Sequence, residues 1–216
     1  MTPLRVLRLG TVDYHAALEL QNDLVERRRR DEIPDHLLLL QHPHVITLGV
    51  RTADARSHIV AGEAELDRRG VSVHETGRGG DVTYHGPGQL VGYPILALEP
   101  ERRDLHRYVR DIEEALIRAL AIFGITGGRV SGLTGVWVGD EKVAAIGVRV
   151  SRWITSHGFA LNVTTNLDYF GLIVPCGITD RGVTSMARLL GQAPQFDAVQ
   201  DAVTKAFADV FGRKPE

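Results

Sequence analysis

The stretch that decides the fold class is Val136-Trp-Val-Gly-Asp-Glu-Lys-Val-Ala-Ala-Ile-Gly-Val-Arg-Val150. Its apolar residues flank a polar turn at residues 139–141, which predicts a β-hairpin. A further extended segment follows over residues 153–163. Strands that follow one another through short turns usually pair, so this part of the chain predicts the centre of a β-sheet.

Helical and extended patterns alternate outward from this centre. Leu105 to Phe123 carries apolar residues at helical spacing, with Asp104 in front and Gly124 behind as end signals. The other predicted elements are helices from Asp13 to Arg30, over 63–69 and over 196–211, and strands over 4–9, 37–40, 45–48, 71–74 and 81–98, the last broken by a turn at 86–88. Residues 165–195 are predicted to be rich in loops. Since the chain has no repeat and no linker composition, we expect a single α/β (α+β) domain over residues 1–216, with a mixed β-sheet flanked by helices.

Composition excludes several classes of protein. A chain of 216 residues, 44% of them apolar, buries a core without the help of disulfides or metals. The net charge of −2 argues against a nucleic-acid binder, which is usually strongly basic. The apolar runs are far shorter than the roughly 20 residues of a membrane helix, and the first residues lack the apolar centre of a signal peptide. We therefore expect a cytoplasmic protein that does not contact membranes.

The densest unusual segment is Thr76-Gly-Arg-Gly-Gly-Asp-Val-Thr-Tyr-His-Gly-Pro-Gly-Gln89. Five of its fourteen residues are glycine, which lets a backbone approach a ligand closely or adopt positive φ. Arg78 adds a positive charge among hydrogen-bonding side chains. Neither a Walker lysine nor the GxGxxG spacing is present, so nucleotide binding is not indicated. A ligand-binding loop and an ordinary connection between strands both remain open.

Cys176 and Lys142 are the candidates for covalent and proton chemistry. Cys176 is the only cysteine, which excludes an intramolecular disulfide and a cysteine-rich zinc site. A thiolate suits acyl transfer through a thioester, although a lone cysteine also occurs as a small core residue. Lys142 is one of only three lysines beside 22 arginines, and it lies at the head of a predicted strand. A partly desolvated lysine can release its proton, whereas arginine cannot; an exposed lysine in a turn is the alternative.

Three other features carry weaker signals. His42 and His44 have no cluster of further ligands around them in the sequence, so we expect no metal site. His157 lies in a predicted strand and either lines a pocket or is a hydrogen-bonded core histidine. The run Arg27 to Arg30 is interpreted as a solvated helix end favoured by the helix dipole, with docking of an acidic partner as the alternative.

The segment Arg78 to Gln89 resembles the signature of the lipoyl(octanoyl) transferase family. The resemblance covers nearly the whole chain, and its other blocks occur in the family's order: Gln41-His-Pro43 with Thr47-Leu-Gly49, Gly139-Asp-Glu-Lys-Val-Ala-Ala-Ile-Gly147, Ser156-His-Gly-Phe-Ala-Leu-Asn162 and Pro175-Cys-Gly177. This family shares its fold with the catalytic domains of biotin and lipoate ligases. The resemblance thus implies a ligase-like α/β fold with a mixed sheet.

The resemblance also implies an activity and a site. Cys176 matches the family's acyl-thioester nucleophile, and Lys142 matches the lysine that activates it. The residues that match substrate-binding segments are Arg78, Gly79, Gly80, Asp81, Val82, Thr83, Tyr84, His85, Ala145, Ile146, Gly147, Gly158, Phe159 and Ala160. The implied reaction transfers an octanoyl group from acyl carrier protein to a lysine of lipoyl domains, as the first step of endogenous lipoate synthesis.

The implied partners and cofactors follow from that reaction. The acyl group arrives on the phosphopantetheine arm of octanoyl-acyl carrier protein, so no separate cofactor, metal or ATP is expected. The acceptors are lipoyl domains of 2-oxoacid dehydrogenase E2 subunits and the glycine cleavage H protein. Two alternatives stay open: an ATP-dependent lipoate or biotin ligase, and a non-enzymatic module that binds acyl groups.

Overall fold

The computed structural model describes residues 2–50, 55–174 and 181–216. Over these residues the chain forms five α-helices: α1 Tyr14–Arg29, α2 Glu63–Arg68, α3 Leu105–Ile122, α4 Met186–Leu190 and α5 Phe196–Phe211. The strands are β1 Thr2–Thr11, β2 Asp35–Gln41, β3 Val45–Leu48, β4 Ser72–Glu75, β5 Val82–His85, β6 Gln89–Ile95, β7 Val136–Val138, β8 Glu141–Ser151, β9 Ile154–Asn162, β10 Gly182–Val183 and β11 Arg213–Pro215.

The main sheet is mixed, as the sequence predicts. Its described strands follow the order β10-β8-β9-β6-β2-β1-β11, and β7 pairs with β8. The hairpin β7–β8 and the strand β9 form the predicted centre, with residues 144–151 of β8 antiparallel to residues 154–161 of β9. Parallel pairing occurs where β1 meets β2 and β11.

The prediction of one sheet is incomplete, because β3, β4 and β5 form a second sheet with the order β4-β3-β5. β3 is parallel to β4 and antiparallel to β5. Its buried side chains, among them Ile46, Val82 and Tyr84, pack in a core of their own beneath α2 and residues 167–172. This small sheet positions the glycine-rich segment, which leads directly into β5.

Both faces of the main sheet are covered, which explains the unbroken run of leucines in β2. Leu37 and Leu39 point into the core shared with α3 and α5, whereas Leu38 and Leu40 point into the core shared with α1. Because successive side chains of a strand face opposite sides, a strand buried on both faces needs apolar residues at every position.

Aspartate side chains cap the starts of α1 and α3. Asp13 accepts hydrogen bonds from the backbone N–H groups of His15 and Ala16 at the start of α1, and Asp104 accepts one from Arg107 at the start of α3. These side chains satisfy donors that have no partner inside the helix. The short helix α4 was not predicted within the loop-rich stretch, nor was β11 after the last helix.

Candidate active site

A cavity of about 530 Å³ brings together most of the residues selected from the sequence. Its walls come from the glycine-rich segment and β5, from the strands β8 and β9, and from the first turns of α3. The predicted residues on its walls are Arg78, Gly79, Gly80, Asp81, Val82, Thr83, His85, Lys142, Ala145, Ile146, Gly147, Gly158, Phe159 and Ala160. Three segments separated by about 60 and 10 residues in sequence thus form one site.

Among the described residues, Tyr84 is the predicted site residue that is not on these walls. Cys176 lies outside the described residues. The Tyr84 side chain is fully buried in the core of the small sheet, where its ring stacks near His44 and Tyr169. Its hydroxyl lies 2.7 Å from Nδ1 of His44, and burial raises the pKa of Tyr84, which keeps the hydroxyl protonated. Tyr84 therefore supports the wall from behind.

Arg78 anchors the glycine-rich segment to the small sheet. Its guanidinium is almost fully buried and donates from Nη2 to the Thr47 carbonyl oxygen at 2.7 Å and from Nε to Thr47 Oγ1 at 3.2 Å. The approach requires glycine at position 49, because a Cβ there would lie 2.8 Å from Arg78 Nη1 and would collide with the carbonyl of Gly80. Arg78 is thus held by β3 while it lines the cavity.

The glycines of β8 and β9 allow neighbouring backbone segments to pack closely against these strands. A Cβ on Gly147 would lie 2.9 Å from the carbonyl oxygen of Gly79, and the amide of Gly79 donates to the Val148 carbonyl at 2.9 Å. On β9, a Cβ on Gly158 would collide with the carbonyl oxygen of Gly92. Any larger residue at these two positions would push the cavity walls or the adjoining strand apart.

Lys142 lies near the start of β8 and is partly buried on the cavity wall. Its Nζ is 4.8 Å from the centre of the Trp137 ring, on the paired strand β7. Gly135 packs behind its alkyl chain: a Cβ there would be 3.4 Å from Lys142 Cδ and Cε. This placement agrees with a partly desolvated lysine and differs from the alternative of an exposed turn lysine.

The buried carboxylate of Glu113 on α3 holds the backbone behind Lys142. Glu113 accepts hydrogen bonds from the Gly135 amide at 3.0 Å, from Arg110 Nη1 at 2.6 Å and from Arg129 Nε at 3.0 Å. Sequence reasoning missed this residue because a glutamate on an amphipathic helix ordinarily faces solvent. Only the tertiary structure shows that its carboxylate is fully buried.

Histidine and tyrosine side chains form another part of the wall. His157 and His85 line the cavity together with Tyr14 and Tyr93. The two tyrosines were not among the site residues predicted from the sequence. The Tyr93 hydroxyl lies 2.8 Å from Nε2 of His42, whose Nδ1 lies 2.7 Å from the Val12 carbonyl oxygen. Of the two alternatives for His157, the structure therefore shows the one in which it lines a pocket, whereas His42 is a hydrogen-bonded core residue. Across the described parts of the chain, no three His, Cys, Asp or Glu side chains come together as a metal site.

Acidification should destabilise the fold through two of these histidines. Burial lowers the pKa of His85 to about 3 and that of His157 to about 4, below the ~6.5 of an unfolded histidine. Between pH ~6.5 and ~4 the unfolded chain therefore binds protons that the folded chain does not. The free energy of unfolding should fall as the pH falls through this window, by up to about 1.4 kcal/mol per pH unit for each histidine.

Urea unfolding at a series of pH values tests this expectation. His157 has a φ of 55°, a left-handed conformation that asparagine tolerates, so His157→Asn removes the titrating ring with little backbone strain. The pH dependence should be shallower in this variant, and His15→Asn, which replaces an exposed histidine on α1, is the control substitution. Equal slopes for the wild type and His157→Asn would contradict the assignment.

The arginine run at the end of α1 is paired within the chain. Arg27 contacts Asp23, Arg28 contacts Asp31 and Asp35, Arg29 contacts Glu26, and Arg30 contacts Glu32. The exposed pairs of Arg27 and Arg30 agree with the interpretation of a solvated helix end, whereas Arg28 is largely buried and pairs with the buried Asp35. None of these arginines lines the cavity.

The sequence and structure match known proteins over most of their length. The family model of the lipoyl protein ligase A/B catalytic domain matches residues 13–208. An octanoyltransferase of Solibacter usitatus is 55% identical over 94% of this chain and 91% of its own length. An octanoyltransferase of Myxococcus xanthus is 53% identical over 98% of this chain, which spans 60% of that longer protein.

Solved structures of ligases share the fold at low sequence identity. A lipoate-protein ligase A bound with ATP matches with a TM-score of 0.81 and 18% identity, over 100% of this chain and 88% of the other. The biotin protein ligase of Aquifex aeolicus matches with a TM-score of 0.54 and 14% identity, over 96% and 69% of the two chains. These matches confirm the ligase-like fold expected from the resemblance.

A membrane-spanning helix is not found among the helices of residues 2–50, 55–174 and 181–216.

The ligases share the architecture only, whereas the octanoyltransferases share about half of all residues. The sequence identity therefore favours the transferase over the ligase alternative. The chain belongs to the lipoyl protein ligase A/B catalytic domain family, and within that family it groups with the octanoyltransferases, acyltransferases of lipoate biosynthesis.

Proposed function

We propose that this protein transfers an octanoyl group from octanoyl-acyl carrier protein to a lysine of lipoyl domains, through a thioester on Cys176 and without ATP. The observation that carries the proposal is the position of Lys142. It lines the same cavity as the glycine-rich segment and residues 145–147 and 158–160. A lysine on the wall of a cavity lined mainly by small and apolar residues suits proton transfer beside an acyl group.

The first half-reaction loads the enzyme. A free thiol has a pKa of about 8.5, so only a few per cent is thiolate at neutral pH. Lys142 raises this fraction as a neutral base or as a cation that pairs with the thiolate. The Cys176 sulfur attacks the octanoyl carbonyl carbon, a new C–S bond forms, and the bond to the phosphopantetheine sulfur breaks. Lys142 then protonates the departing thiolate.

The second half-reaction transfers the acyl group to the acceptor lysine. The neutral amine attacks the thioester carbonyl, a C–N bond forms, and the Cys176 sulfur leaves with the electron pair of the C–S bond. Lys142 accepts the proton that the amine nitrogen loses. Exchange between thioesters is nearly isoenergetic and the amide product is more stable, so the reaction needs no nucleotide, metal or other cofactor.

Intact-mass measurement tests the covalent step. Mixed with octanoyl-acyl carrier protein in the absence of ATP, the protein should gain one octanoyl group that hydroxylamine removes. Cys176→Ala should gain none. The ligase alternative predicts the opposite pattern: no adduct, together with ATP-dependent labelling of a lipoyl domain by free octanoate. Binding of octanoyl-acyl carrier protein with neither signal would leave only the non-enzymatic module.

The acceptors are proposed to be lipoyl domains of 2-oxoacid dehydrogenase E2 subunits and the glycine cleavage H protein. Their lysine would approach Lys142 past Leu105, His106 and Val50, which line the cavity and are exposed to solvent. Leu105 and Val50 are exposed apolar side chains, which suits contact with another protein surface.

A further inference from the structure

A chain of buried hydrogen bonds connects His85 on the cavity wall with the backbone of Lys142. His85 Nδ1 lies 2.8 Å from Gln89 Oε1, and Gln89 Nε2 donates to Asn162 Oδ1 at 3.0 Å. Asn162 Nδ2 donates to the Thr184 carbonyl oxygen at 3.0 Å, and the Thr184 amide donates to the Lys142 carbonyl oxygen at 3.0 Å. His85 and the three residues between it and Lys142 are all buried, so solvent does not compete for these bonds.

The direction of these hydrogen bonds fixes the orientation of the side-chain amides of Gln89 and Asn162. Asn162 uses its NH₂ group on the Thr184 carbonyl, which leaves Oδ1 as the acceptor for Gln89. The Gln89 NH₂ group also donates to the Tyr84 carbonyl oxygen at 3.2 Å, so its Oε1 must face His85. An amide oxygen only accepts, and His85 must therefore donate from Nδ1.

The tautomer of His85 follows. With the single proton of a neutral imidazole on Nδ1, Nε2 carries a lone pair and acts as an acceptor. Burial lowers the pKa of His85 to about 3, so the ring stays neutral at working pH. Such a ring is too weak a base to deprotonate an amine, but it can receive and orient an N–H group.

We propose that Gln89 and Asn162 are positioning residues that hold His85 as the Nδ1–H tautomer, so that Nε2 receives a hydrogen bond from the amine that attacks the acyl thioester. This inference rests on the proposed function and adds a role to it. In the transfer step the amine nitrogen forms the C–N bond, and the C–S bond to Cys176 breaks. The proton lost by the amine still goes to Lys142. The bond to Nε2 directs the nitrogen lone pair toward the carbonyl carbon and moves no proton.

The first test reads the tautomer directly. In protein labelled with ¹⁵N-histidine, the NMR shifts of the His85 ring nitrogens show which one is protonated, and His85→Gln assigns the signals. The wild type should carry the proton on Nδ1. In Gln89→Met, which keeps the side-chain volume but offers no amide oxygen, the ring should populate the Nε2–H form. A proton on Nε2 in the wild type would overturn the proposal, whatever the outcome of any activity measurement.

The second test separates the half-reactions in single turnovers. Loading by octanoyl-acyl carrier protein, followed by intact mass, should change less than twofold in Gln89→Met. Transfer from the loaded enzyme to an apo-lipoyl domain should slow at least tenfold. Slower loading with normal transfer would place the hydrogen bond on the acyl donor and overturn the assignment to the amine, as would normal rates in both steps. Failure of the wild type to load would refute the proposed function and leave the tautomer result standing.

Gln41→Met is the matched control. Gln41 Oε1 accepts a hydrogen bond from the Gly88 amide at 2.7 Å, so this variant also removes a glutamine that holds the turn before β6. In the described part of the chain, the Gln41 side chain has no hydrogen bond to His85. Both half-reactions and the His85 tautomer should remain as in the wild type, which distinguishes loss of positioning from loss of local structure.

Discussion

Replacement of Lys142 by methionine is expected to lower the rate of octanoyl transfer by a factor of 10² to 10⁴, the usual contribution of a positioned acid–base group. Methionine keeps an unbranched side chain beside Gly135 and close to the ring of Trp137. The loss should therefore come from the missing amine. Rapid-quench measurement of both half-reactions would check it, since Lys142 is proposed to move a proton in each.

Lys142→Arg separates the two ways in which the lysine can act. Arginine retains the positive charge over Trp137 but cannot release a proton at working pH. If proton transfer is the essential role, the arginine variant should be nearly as slow as the methionine variant. If turnover in Lys142→Arg stayed near that of the wild type, Lys142 would act only through its charge, by stabilising a thiolate. The circular dichroism spectra and urea midpoints of both variants provide the control for folding.

The largest effect on stability is expected at Asp35, whose carboxylate is completely buried at the start of β2. It accepts hydrogen bonds from Arg28 Nε at 2.8 Å, from Arg213 Nε at 2.9 Å and from the Ala97 amide at 3.0 Å. Asp35→Ala removes the fully buried partner of Arg213, which keeps only the partly exposed carboxylate of Glu99, and should lower the free energy of unfolding by about 3 kcal/mol, the lower end for a broken buried ion pair. That is a large part of the stability of an ordinary domain.

Urea unfolding at neutral pH measures this loss. Glu32→Ala is the matched control, because it also removes a carboxylate paired with an arginine of the same helix end, but both partners are solvent-exposed. No measurable change is expected there, since exposed ion pairs contribute little. A loss below 1 kcal/mol in Asp35→Ala would mean that the three bonds are replaced by water or by rearrangement of Arg213.

The elements with strong local patterns were predicted closely. α3 begins after Asp104 and spans Leu105–Ile122, because its capping residue and apolar spacing are both encoded locally. The leucine run of β2 and the hairpin turn before β8 were likewise evident. The small sheet was missed because β3, β4 and β5 are short, and the pairing of β3 with strands 27 or more residues away depends on tertiary contacts.

The residues of the candidate site likewise divide into those with a signal in the local sequence and those without one. Its glycine-rich segment and Lys142 were visible through unusual composition, and the resemblance assigned them a chemistry. Tyr14 and Glu113 had no such signal, since a tyrosine in the first turn of a helix and a glutamate on a helix face are common in any protein. The roles of Gln89 and Asn162 were also hidden, although both lie in the quoted blocks, because neither stretch of sequence indicates that the two amides meet.

The pairing of β1 with β11 has a consequence for how the molecule is made. Thr2 lies beside Arg213 in parallel register, and the two strands are synthesised roughly 200 residues apart, a very non-local contact of the kind that slows folding. A growing chain on the ribosome therefore holds β1 and β2 with an open edge, and with Asp35 still lacking the guanidinium of Arg213. We expect this edge of the sheet to close only after residues 213–215 have been synthesised, so that chains truncated before them leave the edge of β1 unpaired and prone to aggregation.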